Sequence, residues 1–500
     1  MTNPLKKLAG ETAIYGIPSI LGRFINFLLV AVHTGGIFSQ SDYGNISYLY
    51  AYISFLNIIY TYGMETSFFR FATKGNSLME TYHRATSSVL FTSLIFTAFI
   101  YFGAGVLAKV MLKPDLVPYI RWLALILFID AIVAIPFAKL RLQHRAKKFA
   151  FIRMSGILIN VILQVFFLYF CPHALDGDYG VEAQNLIENV YQPSFGIGYV
   201  FFSNFVGNLF MLVLLWRSFW ELKLTFVWSK LRPMLSYGIP ILLMGLAGIS
   251  NDQIEKILFE YLLPENFYPG MSSSDALGVY SASFKLSVFM SLAVQAFRFA
   301  GEPFFFSQAK DKAAPELFAK VLHYFVVFSV IIYVGISLNL ELIAQLLLGE
   351  RFRGALEIVP ILMLGKLFFG IYINISIWFK LTDKTIYGTY ISIVGAVITV
   401  IGNVLLVPIL GYLGCAVTIV VSFFVMAVIG YVLGQKYYPI PYKIGPVIIY
   451  IIIGLAIVFS MQQISHYLHQ PAIWVNILVT VLFIVAVYFF EKPDLTPKST

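Results

Sequence analysis

The chain has 500 residues, 59% of them hydrophobic and only 12% charged, against roughly 25% charged in soluble domains. That composition excludes a soluble enzyme or binding module and leaves a membrane protein with small loops. The formal charge of +9 reads as a topology signal, so no nucleic-acid partner is expected. Cys171 and Cys415 are too few and too far apart for a disulfide framework or a metal site.

A spanning helix needs about 20 mostly apolar residues, and hydropathy predicts fourteen such segments. In chain order they lie near 9–33, 44–66, 86–111, 116–137, 149–171, 197–219, 234–262, 276–300, 318–339, 355–379, 385–407, 412–434, 444–466 and 472–490. Gly16 and Pro18 interrupt the first, which lacks the small-residue cleavage site of a signal peptide and is kept as a helix. The loop at 172–196 carries Asp176, Asp178, Glu182 and Glu188 without Lys or Arg, and is too small for a catalytic domain.

Lys and Arg are retained on the cytoplasmic side. With Lys6 and Lys7 inside, most of the 34 basic residues fall in the same set of turns, among them Arg70, Lys139, Arg141, Arg145, Lys147, Lys148, Arg153, Arg217, Lys223, Lys230, Arg232, Lys436 and Lys492. The opposite face holds only Lys109, Lys113, Arg121, Arg351 and Arg353. An even number of helices with both termini cytoplasmic follows.

Long-range similarity divides the chain. Tyr15-Gly16-Ile17-Pro18 recurs as Tyr237-Gly238-Ile239-Pro240, "SDYGNIS" (41–47) as "SDALGVYS" (274–281), and Glu65-Thr-Ser-Phe68-Phe69 as Glu302-Pro-Phe-Phe305-Phe306. Three landmarks in one order predict an all-α polytopic fold of two pseudo-symmetric six-helix lobes, 1–220 and 221–435. Two additional helices (436–490) and a cytoplasmic tail (491–500) follow. Both copies enter from the same face, so the repeats are parallel, which predicts a substrate site between lobes.

Intramembrane charges mark function, because each costs about 2.5 to 3.5 kcal/mol at mid-bilayer on insertion scales. Arg23 lies about 14 residues into its span, roughly 21 Å deep at 1.5 Å per residue. Lys285 and Lys366 sit near mid-depth. Asp252 and Lys256 are spaced to neutralise each other, leaving Glu255 without a local partner. Asp130 is a candidate protonatable or cation-coordinating carboxylate, or a hydrogen-bonded structural one. Glu65 and Arg70 are placed at the cytoplasmic end of the second span. In "FRFAGEPFFF" (297–306), Arg298 and Glu302 either pair locally or present Arg298 to a cavity mouth, with Pro303 a hinge or a helix end. The basic set Arg23, Lys256, Lys285, Arg298 and Lys366, joined by Arg70, suits an anionic ligand such as a diphosphate. No Walker A loop, dinucleotide fingerprint, zinc-type His pair or nucleophile elbow is present, so neither ATP hydrolysis, catalysis nor a bound cofactor is expected.

The segments "LKKLAGETAIYGIPSILGRFINFLLV", "SDYGNISYLYAYISFLNIIYTYGMETSFFRF", "DAIVAIPFAKLRLQHRAKKFAFIR", "FRFAGEPFFF", "SIWFKLTDKT" and "NVLLVPILGYLGCAVT" resemble the polysaccharide biosynthesis family. These are the Wzx-type oligosaccharidyl-lipid flippases of the multidrug/oligosaccharidyl-lipid/polysaccharide exporter superfamily. The resemblance covers about 5–440. It implies a bacterial inner-membrane flippase working by alternating access without ATP. Its substrate would be an undecaprenyl-pyrophosphate-linked glycan, such as an O-antigen (lipopolysaccharide) or capsule repeat unit, and its partners membrane lipids and a glycan polymerase. H+, Na+ or the membrane potential would drive it. Arg23 and Arg298 match positions where cavity arginines engage the pyrophosphate, and Asp130 an acidic position before the Leu-Arg loop. Lys285 and Lys366 match no motif and rest on depth alone. A cation-coupled multidrug exporter would favour unpaired acids in the cavity, and a membrane glycan polymerase or ligase would need a large outer loop.

Overall fold

The computed structural model describes residues 4–73, 77–308, 311, 313–468 and 473–495, and within these the chain is almost wholly helical, with no strand. In order, the helices are α1 Pro4–Val32, α2 Gln40–Thr61, α3 Met64–Thr73, α4 Leu78–Val110, α5 Val117–Leu142, α6 Ala146–Val165, α7 Cys171–Leu175, α8 Val181–Glu188, α9 Gly198–Leu214, α10 Trp216–Trp220, α11 Trp228–Leu262, α12 Ser273–Leu286, α13 Val288–Gln308, α14 Ala314–Leu338, α15 Leu340–Leu347, α16 Ile358–Ile375, α17 Ile377–Leu381, α18 Ile386–Leu410, α19 Tyr412–Tyr437, α20 Ile444–Leu468 and α21 Ile473–Leu495. Helices dominate because hydrocarbon offers no partner for backbone N–H and C=O groups, which must then be satisfied within the segment.

Each expected span contains a helix. Among the described residues eleven are long and apolar enough to cross a membrane, twelve if the bent pair α12–α13 counts as one span. The other two expected spans are α9, a shorter apolar helix, and α2, whose tyrosines, asparagines and serines dilute its apolar character. The protein is a multi-pass membrane protein.

The chain forms two compact units. The first runs to Tyr261 and adds Tyr268–Gly278; the second takes Leu262–Phe267 and everything from Val279 onward. In the first, α5 is the hub: 78% of its span is buried, against 28% for each of the α4 and α6 spans. Ile129, Ile132, Val133, Phe137 and Leu140 on α5 pack with Ile152 on α6 and Met211 on α9. In the second, α16 takes that place, its span 72% buried, with α13, α14 and α19 against it.

The structure breaks helices where hydropathy runs straight through. The expected 44–66 span stops at Thr61; Tyr62 and Gly63 are left-handed (φ 32° and +71°), and α3 starts afresh at Met64. Glu65 and Arg70 therefore sit on a separate helix. A Cβ on Gly63 would lie 2.5 Å from the Gly238 carbonyl oxygen, and one on Gly238 2.7 Å from that of Tyr62. The second Tyr-Gly-Ile-Pro copy thus receives this break, and Ser67 Oγ fixes it by donating to the Met234 carbonyl at 2.9 Å. The eighth span bends by 46° between α12 and α13, at Ser287. Of the two roles expected for Pro303, a hinge or a helix end, the helix end is excluded, because α13 continues to Gln308. Pro18 likewise lies inside an unbroken α1.

Gly63→Ala should destabilise the protein by about 2 kcal/mol, since it combines a positive φ with a backbone clash. Thermal unfolding in detergent would show a lowered midpoint for Gly63→Ala and none for Gly248→Ala, where a Cβ meets open space.

Candidate functional site

In the first unit a polar seam crosses the helix interior. Asp130, on the α5 hub, accepts a hydrogen bond from Asn208 Nδ2 at 2.9 Å. One turn earlier on α9, Asn204 Nδ2 donates to the Tyr50 hydroxyl at 2.8 Å. Gly207, between them, lets α6 approach so closely that a Cβ there would stand 3.1 Å from that of Asn160. Asn160 accepts from Gln164 Nε2 at 2.9 Å, and Gln164 meets His33 Nε2 at 2.7 Å. His33 opens a π-helical turn, His33–Ile37, and a second such turn, Phe166–Phe170, begins two residues after Gln164. The seam holds one carboxylate among four amides, an imidazole and a phenol hydroxyl. Arg153 lies within electrostatic range of Asp130. Asp130 stood out in the sequence as an acid; His33, Asn160, Gln164, Asn204 and Asn208 are neither acids nor Lys or Arg, and only their interruption of apolar spans hints at them.

The other predicted acids and bases of this unit have separate settings. Arg23 is exposed on α1. Glu65 forms an ion pair with Arg141, whose guanidinium lies 4.9 Å from the centre of the Phe69 ring. Arg70 is exposed and stacks its guanidinium over Tyr237 at 4.1 Å, so the repeated tyrosine has a partner here. Asp252 and Lys256 are bridged by an amide: Gln253 donates to Asp252 at 3.2 Å and accepts from Lys256 at 2.7 Å. Glu255, one residue from Lys256, is fully buried.

In the second unit, Lys366 is only 5% exposed. Its ammonium lies 5.2 Å from the Phe284 ring centre and 5.6 Å from that of Phe423, cation–π contacts that soften the cost of burial. Lys285 is half-buried and Arg298 exposed. The Glu302 and Pro303 side chains lie outside the described residues.

One buried cation escaped sequence reading because it was counted as a loop charge. Lys139, near the end of α5, is 5% exposed. Its Nζ donates to Glu221 at 2.7 Å and lies 4.3 Å from the centre of the Tyr82 ring. The Tyr82 hydroxyl in turn donates to the Ser218 carbonyl. The hydrogen bond and charge of Lys139 hold the Glu221 carboxyl below its ordinary 4.5.

The chain matches the model of the polysaccharide biosynthesis protein family over residues 37–176 and 194–360, more than half its length. The chain belongs to the polysaccharide biosynthesis protein family. "Lsg locus putative protein 1" of Haemophilus influenzae is 22% identical over 357 residues, 70% of this chain and 78% of that protein. Among solved structures, the lipid II flippase MurJ in an inward closed conformation superposes with a TM-score of 0.71 at 14% identity, covering 97% of this chain and all of that one. An inward-facing multidrug resistance MATE family transporter of the MOP superfamily reaches 0.59 at 14% identity, over 86% of this chain and 97% of its own. The chain thus shares its fold with these two transporters and its family with polysaccharide biosynthesis proteins.

A depressed carboxylate stabilises the folded state above its unfolded pKa, and that contribution disappears as pH falls through the folded value. Unfolding midpoints measured from pH 7 down to pH 3 should therefore drop for the native protein below about pH 4.5 more steeply than for Glu221→Gln. The variant should already be weaker at pH 7, where Lys139 has lost its carboxylate.

Proposed function

We propose that the protein is a lipid-linked oligosaccharide flippase of the bacterial inner membrane. It moves an undecaprenyl-pyrophosphate-linked glycan, an O-antigen or capsule or exopolysaccharide repeat unit, from the cytoplasmic to the periplasmic leaflet by alternating access. The family match over more than half of the chain carries this reading. Basic turns such as 139–153 mark the cytoplasmic face under the positive-inside rule, which puts both termini there, with fourteen helices in two six-helix lobes and a final pair.

The diphosphate is the part of such a substrate that most resists leaving water, and arginines are its natural partners because their planar fork matches phosphate oxygens. Exposure supports Arg23, Arg298 and Arg70 as the residues that engage it. Lys366, held between two rings, and Lys256, held by Gln253, set the potential that the anion meets; half-buried Lys285 adds to it. Asp130 in its amide seam is the candidate for coupling to H+ or Na+, and a glycan polymerase a candidate partner for the delivered product.

Arg23→Ala, expressed at normal level in a strain lacking the native protein, should abolish surface polysaccharide, while Arg23→Lys retains part of it. Full-length polysaccharide at the cell surface with the alanine variant would overturn the assignment of Arg23. A second reading, cation-coupled export of cationic drugs, is favoured by the likeness to the MATE fold and by Asp130. Drug efflux lost in Asp130→Asn, with surface glycan unaffected by either variant, would select it.

A further inference from the structure

The "SDYGNIS" and "SDALGVYS" landmarks have a structural role of their own. Each contributes to a capping box. Ser39 and Asp42 exchange backbone and side-chain hydrogen bonds at the start of α2, and Ser272 and Asp275 do the same at the start of α12. The two capped turns then meet backbone to backbone: Gly44 lies against the Ser274 carbonyl, and Gly278 against the Gln40 carbonyl, with no room at either for a Cβ.

Beside this crossing sits Lys113, from the turn between α4 and α5. Its Nζ donates to Asn45 Oδ1 at 2.7 Å and to Ser274 Oγ at 2.6 Å, and stands 2.8 Å from Glu260 Oε1. Ser274 Oγ donates onward to the same Glu260 oxygen at 2.9 Å. The ammonium also lies 5.3 Å from the centre of the Tyr48 ring, and the Tyr48 hydroxyl meets that of Tyr261 at 2.7 Å. The Lys113 and Glu260 side chains are only 13% and 11% exposed. An ammonium has three donors, and three acceptors on three different helices, α2, α11 and α12, use them. All of these residues belong to the first unit, whose last residue is Gly278; α12 continues from Val279 into the second.

We propose that Lys113 is the gate residue of the membrane face opposite the basic 139–153 turn. By clamping Ser274 and Glu260 to Asn45 it holds the first turn of α12 on α2, and its release frees that turn and opens this face for substrate exit. A compact charge on a flexible stem suits a bond that must break and re-form. The inference rests on the transporter reading but not on the identity of the substrate.

Ala51, two turns deeper on α2 and fully buried, serves as the reporter, since the native Cys171 and Cys415 are both buried. Ala51→Cys is introduced into the full-length protein in oriented membrane vesicles and treated with a membrane-impermeant maleimide from each face. Labelling from the Lys113 face should be slow with Lys113 present and on the order of tenfold faster in Lys113→Met and in the isosteric Glu260→Gln, as expected when a buried ion pair loses one partner. Lys113→Arg should restore slow labelling. Unchanged labelling in monodisperse Lys113→Met and Glu260→Gln would overturn the proposal. So would faster labelling from both faces, which marks general loosening, or an arginine variant that behaves like the methionine one. Because the readout needs no glycan, it stands apart from the polysaccharide assay on Arg23.

Discussion

An ion placed in hydrocarbon must be compensated, displaced to an interface or turned toward water, and this requirement organises the charged residues of the protein. Within the units the compensations differ in kind. Lys139 takes a carboxylate and a tyrosine face, Lys366 two phenylalanine rings, Asp130 an asparagine amide, and Asp252 with Lys256 a shared glutamine. His323, Glu491 and Tyr450 add a further cluster in the second unit, where α21 brings Glu491 within 3.1 Å of His323 and 2.6 Å of the Tyr450 hydroxyl. A charge that is tied internally contributes field more than grip. Arg23, Arg70 and Arg298 are exposed instead, Arg70 with its guanidinium over the Tyr237 ring.

The second constraint is the backbone. Breaks in a spanning helix are tolerated when neighbouring protein satisfies the released groups, and the breaks here are placed accordingly. The Tyr62–Gly63 break rests on Gly238, and Ser67 returns a hydrogen bond to the Met234 carbonyl. The two π-helical turns lie at either end of the His33–Gln164 contact. In this chain, irregular backbone and buried polarity occur together.

These features bear on what the amino-acid order alone could reveal. Segment positions were legible because a span is a composition averaged over some 20 residues, so every expected segment contains a helix. The break after Thr61 was hidden because its first left-handed residue is a tyrosine, and the bend at Ser287 involves no proline. Pro303 left a hinge and a helix end both open in the sequence, and only the helix end is excluded, since membrane helices absorb prolines that would end a soluble one. The Asp252–Lys256 spacing did point to a real association, but the mediating role of Gln253 follows from rotamers. Lys139 with Glu221 and Lys113 with Glu260 join residues far apart in sequence, for which no local spacing rule exists.

The repeat explains scaffold more than chemistry. Its Tyr-Gly-Ile-Pro copy at 237–240 is used for packing: Tyr237 carries the Arg70 guanidinium and Gly238 admits the α2–α3 break. The two hub helices, by contrast, are alike in being the most buried spans of their units and differ in charge. The first presents Asp130 to an amide seam, and the second encloses Lys366 between aromatic rings. The two hubs are each the most buried span of their unit, yet one holds a carboxylate by an asparagine amide and the other an ammonium by aromatic rings, so equal burial is compensated by different chemistry.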